Sequence, residues 1–193
     1  MPFQLTESET IQGVYLAHLQ PYADDRGRFM ESFRKEWFPQ RSWNTIQTNR
    51  SESRANVLRG LHYHFHQVDY WCVMQGRIQA ALLDIRPDSP TFGQHQTVAM
   101  GGEDLIGLFI PIGVAHGFVA LTDVILTYIV DNYYDNSDEH GVAWNDPAFN
   151  IDWGVADPLI SPRDAANRCL ADIPPAQLPH MRHSLAASPH EVS

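Results

Sequence analysis

Two cysteines in 193 residues, Cys72 and Cys169, are too few for a disulfide framework and fit a reducing cytosol. Cys72 lies in an apolar run and reads as a core residue rather than a reactive thiol. No apolar stretch approaches the roughly 18 residues that a membrane helix needs, and the first residues lack the basic-then-apolar pattern of a secretory leader. The expectation is a soluble cytoplasmic protein. Positive charge is also short: 13 Lys and Arg stand against 23 Asp and Glu, a net charge of −10. That field disfavours nucleic acid and anionic membrane as partners. An anionic ligand must then be met by a local arginine cluster.

Apolar residues make up 44% of the chain and aromatics 11%, enough for one domain with a core that needs no disulfides. Helical periodicity is scarce. Short apolar or alternating runs recur instead at 14–19, 28–33, 70–74, 78–85, 95–100, 105–110, 117–121 and 124–130. Period two places Ile78, Ala80, Leu82 and Asp84 on one face of a strand. Turn chemistry separates the runs, as in Arg86-Pro87-Asp88-Ser89-Pro90 and Met100-Gly101-Gly102-Glu103-Asp104. The pattern predicts an all-β antiparallel jelly roll or barrel. A short helix is expected near Lys35-Glu36-Trp37-Phe38, and another over 162–170 with Ser161 as N-cap and Pro162 at its first position. One domain over 1–172 is expected, followed by a loosely ordered Pro-, His- and Ala-rich tail over 173–193.

Histidines carry the chemistry. His62 lies in Leu58-Arg59-Gly60-Leu61-His62-Tyr63-His64, and alternation lets His62, His64 and His66 point inward together. A second histidine, His116, ends the turn Pro111-Ile112-Gly113-Val114-Ala115-His116, which delivers a residue to a barrel mouth. Arg59 neighbours the His62 strand, and its guanidinium suits phosphate oxygens. With Arg26 and His116 it would form the cationic spot that an acidic chain needs for a diphosphate. Tyr128, Tyr133 and Tyr134 follow from a later strand.

Val57-Leu58-Arg59-Gly60-Leu61-His62-Tyr63 resembles the dTDP-4-dehydrorhamnose 3,5-epimerase family. Further stretches match in order, among them Asp25-Arg26-Gly27-Arg28-Phe29-Met30-Glu31, Gln47-Thr48-Asn49, Ile110-Pro111-Ile112-Gly113-Val114-Ala115-His116-Gly117-Phe118, Tyr133-Tyr134, Trp144-Asn145-Asp146-Pro147 and Ser161-Pro162-Arg163-Asp164. The resemblance spans roughly residues 10–172. It implies a cupin-type double-stranded β-helix with an N-terminal strand extension and short C-terminal helices, in a homodimer whose N-terminal strands reach across to the partner. It also implies an isomerase with no cofactor. Such an enzyme inverts C3 and/or C5 of a dTDP-4-keto-6-deoxyhexose in deoxysugar biosynthesis, by removing a proton next to the C4 carbonyl. By that resemblance His62 is the base, Asp164 orients it and Tyr128 is the acid. Tyr133 helps to place the sugar. Arg26, Glu31, Gln47, Asn49, Arg59 and His116 fall at nucleotide and diphosphate positions, and Arg163 stands where a lysine is common.

Two positions depart from the family. Asp69 stands where the family mostly has a lysine near the C4 oxygen, and a carboxylate repels an enolate. His64 stands where a glutamine is usual. Together His62, His64, Asp69 and His116 resemble the metal motif of the wider cupin superfamily, and three histidines with a carboxylate suit one divalent transition metal. Three readings therefore stand side by side: a sugar-nucleotide epimerase, a metal-dependent oxygenase or isomerase, and a catalytically weak sugar-nucleotide-binding protein.

Overall fold

The computed structural model describes residues 3–181, and fourteen strands account for almost all of its regular structure. An N-terminal pair, β1 (Phe3–Glu7) and β2 (Tyr15–Leu19), precedes a small hairpin of β3 (Tyr22–Asp24) and β4 (Gly27–Phe29). Then come β5 (Gln47–Ser53), β6 (Val57–Tyr63), β7 (Asp69–Gln75), β8 (Arg77–Asp84) and β9 (His95–Gly101). The barrel is completed by β10 (Ile106–Ile110), β11 (Val114–Ala120) and β12 (Val124–Val130), with two-residue strands β13 (His140–Gly141) and β14 (Leu159–Ile160). One sheet runs in the order β1-β2-β10-β7-β12-β5, and the other in the order β13-β6-β11-β8-β9 with β14 beside β6. All pairs are antiparallel except β14 with β6. This is the cupin-type jelly roll.

Three layers of apolar side chains hold it. Trp71, Leu82, Phe118 and Leu126 pack between the sheets. On the outer face of β6, β11 and β8, Leu61, Leu83 and Val119 meet Trp153, Leu170, Ile173 and Leu178. On the outer face of the other sheet, Tyr70 and Phe109 are covered by Phe38 and Trp43. Phe38 stacks on Phe109 at 4.5 Å. Both faces of β8 are thus buried, and the expected set Ile78, Ala80, Leu82 and Asp84 has no exposed member. Burying one such aliphatic side chain contributes about 1.5–3 kcal/mol.

Several elements are shorter than their patterns predict. The run at 28–33 keeps strand geometry only to Phe29, and the helix expected near Lys35 is one 3-10 turn, Lys35–Trp37. The helix expected over 162–170 is a single turn, α1 (Pro162–Ala165). Beyond it the chain turns away, letting Arg168 O accept from Ala143 N at 2.9 Å and Asp146 accept from Leu170 N at 2.8 Å. Ser161 caps α1 as predicted, with Oγ accepting from Asp164 N. Of the tail expected to be loosely ordered, residues 173–181 pack on the barrel through Ile173 and Leu178, because that outer face would otherwise be left wet. Residues 182–193 lie outside the described ones.

Candidate active site

Strand register brings the sequence-distant histidines together. On β6, His62 sits directly opposite His116 of β11. The crossing leaves no room for a side chain at Gly60: its φ is +121°, and a Cβ there would meet Gly117 Cα at 2.6 Å. The glycine of the Arg59-Gly60-Leu61-His62 motif is thus demanded by packing. Beyond Tyr63 the strand ends, because Asp138 accepts from Phe65 N at 2.7 Å and His66 N at 3.0 Å and bends the chain. His64 therefore turns inward and is buried, whereas His66 is exposed. The expectation of three inward histidines holds for two of them.

The opposite wall comes from the other sheet. Tyr128 of β12 pairs with Trp71 of β7 and Asn49 of β5. Asp69 opens β7, opposite both Val130 and Ile110. Its position is braced by Asp131, which accepts from Val68 N at 2.9 Å and pairs with buried Arg41 at 2.6 Å. Between the walls lies a cavity of about 240 Å³, lined by His62, His64, Asp69, His116, Tyr128, Arg59 and Arg163 among others.

His62 and Asp164 form a hydrogen-bonded pair, with Nε2 2.8 Å from Oδ1. The other Asp164 oxygen accepts from Gly60 N at 3.2 Å. Burial raises the Asp164 pKa, but the hydrogen bonds and charge of His62, with Gly60 N and Ser161, outweigh it and hold the carboxyl below its usual range. An ionised Asp164 only accepts, so Nε2–H donates to it and, in that tautomer, Nδ1 is the ring nitrogen that carries the lone pair. Tyr128 is pushed upward, by burial first and then by the negative charges of Asp69 and Glu139, against a smaller opposing effect of Arg59. It therefore remains a proton donor at neutral pH. A base on one wall and a neutral phenol on the other suit removal and return of a proton on opposite faces of a ligand.

His64, Asp69 and His116 form a separate cluster, all buried, with one ligand atom of each within 4.8 Å of the others. His116 is pushed down to about 4, chiefly by burial, with Asp69 opposing and His64 adding to the shift. His62 lies outside this cluster, and its Nε2 is engaged by Asp164. The four-residue metal set expected from sequence thus contracts to three.

Other expected site residues lie at or beyond the rim. Arg59 hydrogen-bonds Ser53 Oγ at 2.9 Å and lines the cavity. Arg163 donates to Glu139 at 3.2 Å. Gln47 and Asn49 alternate along β5 with the lining residue Ser51, joined by a 2.8 Å hydrogen bond. Tyr133 is exposed and does not line the cavity. Nor do Arg26 and Glu31: Arg26 pairs with Asp24, its side chain 89% exposed, and Glu31 pairs with Arg34. Glu139, Gln67 and Trp71 also line the cavity and were missed, having no motif or spacing to mark them.

The family model described as dTDP-4-dehydrorhamnose 3,5-epimerase matches residues 8–172. A protein of that name from Shigella flexneri is 36% identical over 170 residues, covering 84% of this chain and 93% of its own. The crystal structure of a dTDP-6-deoxy-D-glucose-3,5-epimerase from Legionella pneumophila, in complex with dTDP-4-keto-L-rhamnose, superposes with TM-score 0.85 at 33% identity, covering 92% of this chain and 98% of its own. A 3'-monoepimerase from Streptomyces bikiniensis in complex with dTDP-quinovose gives 0.86 at 30%, covering 92% and 94%. The chain belongs to the dTDP-4-dehydrorhamnose 3,5-epimerase family.

Proposed function

We propose that this chain is a nucleotide-sugar epimerase acting on a dTDP-4-keto-6-deoxyhexose, in deoxysugar biosynthesis of the rhamnose type. The observation that carries the reading is the His62–Asp164 pair across one cavity from Tyr128. The C4 carbonyl of such a sugar acidifies the protons at C3 and C5, so it supplies the electron sink and no redox group takes part. His62 Nδ1 removes a proton, an enolate forms, and Tyr128 returns a proton to the opposite face.

The cavity is below the about 300–1,000 Å³ typical of a whole-ligand pocket. The keto-sugar enters it, and the diphosphate and nucleoside lie outward against Arg59, Arg163, Gln47 and Asn49. The hairpin bearing Arg26 and the segment with Glu31 serve the pocket of a second copy in a homodimer. Such an enzyme works in the cytoplasm, where sugar nucleotides are made.

The test is dTDP-4-keto-6-deoxyglucose incubated with the protein in D₂O and followed by NMR and mass spectrometry. Deuterium at C3, C5 or both is expected, falling about 10²–10⁴-fold in His62→Ala. No incorporation above the enzyme-free control overturns the reading and leaves sugar-nucleotide binding without turnover.

A further inference from the structure

The proton transfers leave the buried cluster beside them unused. His64 donates Nδ1–H to Asp138 O at 2.8 Å, and His116 donates Nδ1–H to Val114 O at 2.9 Å. A carbonyl only accepts, so in each neutral ring Nε2 carries the lone pair. Both Nε2 atoms face the same oxygen, Asp69 Oδ2, at 3.8 Å. That spacing is too long for a hydrogen bond. The side chains of His64, Asp69 and His116 are only 7%, 4% and 6% exposed. Three electron-rich atoms thus converge where water is scarce. Asp69 is also held in orientation, its Oδ1 accepting from Trp71 Nε1 at 3.3 Å and its Oδ2 from Gln67 Nε2 at 3.2 Å. Fixed imidazole tautomers and a braced carboxylate are what a metal site needs around its ligands.

We propose that His64, Asp69 and His116 bind one divalent first-row transition-metal ion through two imidazole Nε2 atoms and one carboxylate oxygen. With bonds of about 2.1 Å, two ligands stand about 3 Å apart at a right angle and about 4 Å apart when opposed. The observed 3.8 Å separations fall inside that range. Imidazole and carboxylate donors favour zinc, iron, cobalt or nickel over magnesium or calcium. Three protein ligands leave coordination positions open toward the cavity. One consequence rests on the epimerase reading. An enolate needs a positive group near its oxygen; of the cations that line this cavity Arg59 is held by Ser53 and Arg163 by Glu139, Asp69 stands among the lining residues, and the chain's one lysine, Lys35, is not among them. A bound ion reverses the local sign and supplies that electrophile.

The test is titration of the chelator-treated full-length protein with Co²⁺, read by visible absorption and by bound metal per chain. One equivalent with d–d bands is expected, its affinity falling at least about 10-fold in Asp69→Asn and in His116→Gln. A tail variant, His183→Asn with His190→Asn, is expected to keep the bands. Circular dichroism of each metal-free variant establishes that it is folded, and one folded variant of either ligand suffices. Absent bands in the wild type, or bands lost with the tail histidines but not with the ligands, overturn the metal site. Deuterium exchange into the dTDP-sugar is followed in parallel. Exchange without cobalt binding removes only the metal site, and cobalt binding without exchange removes only the epimerase reading.

Discussion

Asp164 controls His62 through a single atom pair, Nε2 to Oδ1 at 2.8 Å. Because the carboxyl is held below its usual range, it is an anion at neutral pH and accepts only. Replacing it by asparagine keeps the shape but offers an amide N–H where only an acceptor stood. The ring then turns its lone pair toward residue 164 and its proton toward the substrate, which disables the base. Asp164→Asn should lower kcat by about 10²–10⁴-fold with little change in KM for the dTDP-sugar. Steady-state kinetics on a variant of unchanged Tm checks this. A parallel rise in KM would mean that Asp164 contacts the sugar rather than the histidine.

At the scale of elements, what the sequence discloses depends on how the pattern meets its neighbours. Buried β8 and half-buried β12 were legible from their apolar runs, because packing there asks for hydrophobic side chains. The site strand β6 was legible through its motif. Strand β5, Gln47-Thr48-Asn49-Arg50-Ser51-Glu52-Ser53, has no apolar residue to announce it and is made by its full pairing with β12. Asp138 was equally silent, although its carboxylate bends the chain after β6 and decides which histidines turn inward. The cap of α1 was visible, but its length was not, since Arg168 and Leu170 answer to partners near residues 143–146. One turn of helix has no stability of its own. Its cap, Ser161 Oγ accepting from Asp164 N at 3.1 Å, therefore matters to the site. Ser161→Ala should cost about 1 kcal/mol of stability, seen as a lower Tm. It should also lower kcat severalfold at steady KM, because α1 carries the residue that orients His62. Lost stability with unchanged kcat would mean that His62 and Gly60 alone hold Asp164.

At the scale of the molecule, the acidic chain must assemble a cationic mouth from few arginines. Arg59 and Arg163 line the cavity, but Arg26 stands on the β3–β4 hairpin with its side chain 89% exposed, paired among the described residues with Asp24. In the proposed homodimer Arg26 completes the partner's pocket, so each active site draws its base and its outer arginine from different chains. Subunit mixing tests this directly. Arg26→Ala and His62→Ala homodimers should each be weak in turnover of the dTDP-sugar. After random exchange, about half of the dimers are mixed, and one of the two pockets in each then holds an intact His62 and an intact Arg26. Activity should recover to about a quarter of wild type. If Arg26 instead serves its own chain, a mixed dimer holds one pocket lacking His62 and one lacking Arg26, and mixing gives only the average of the two weak variants. Two-fold symmetry would then contribute stability to the barrel but no residue to its chemistry.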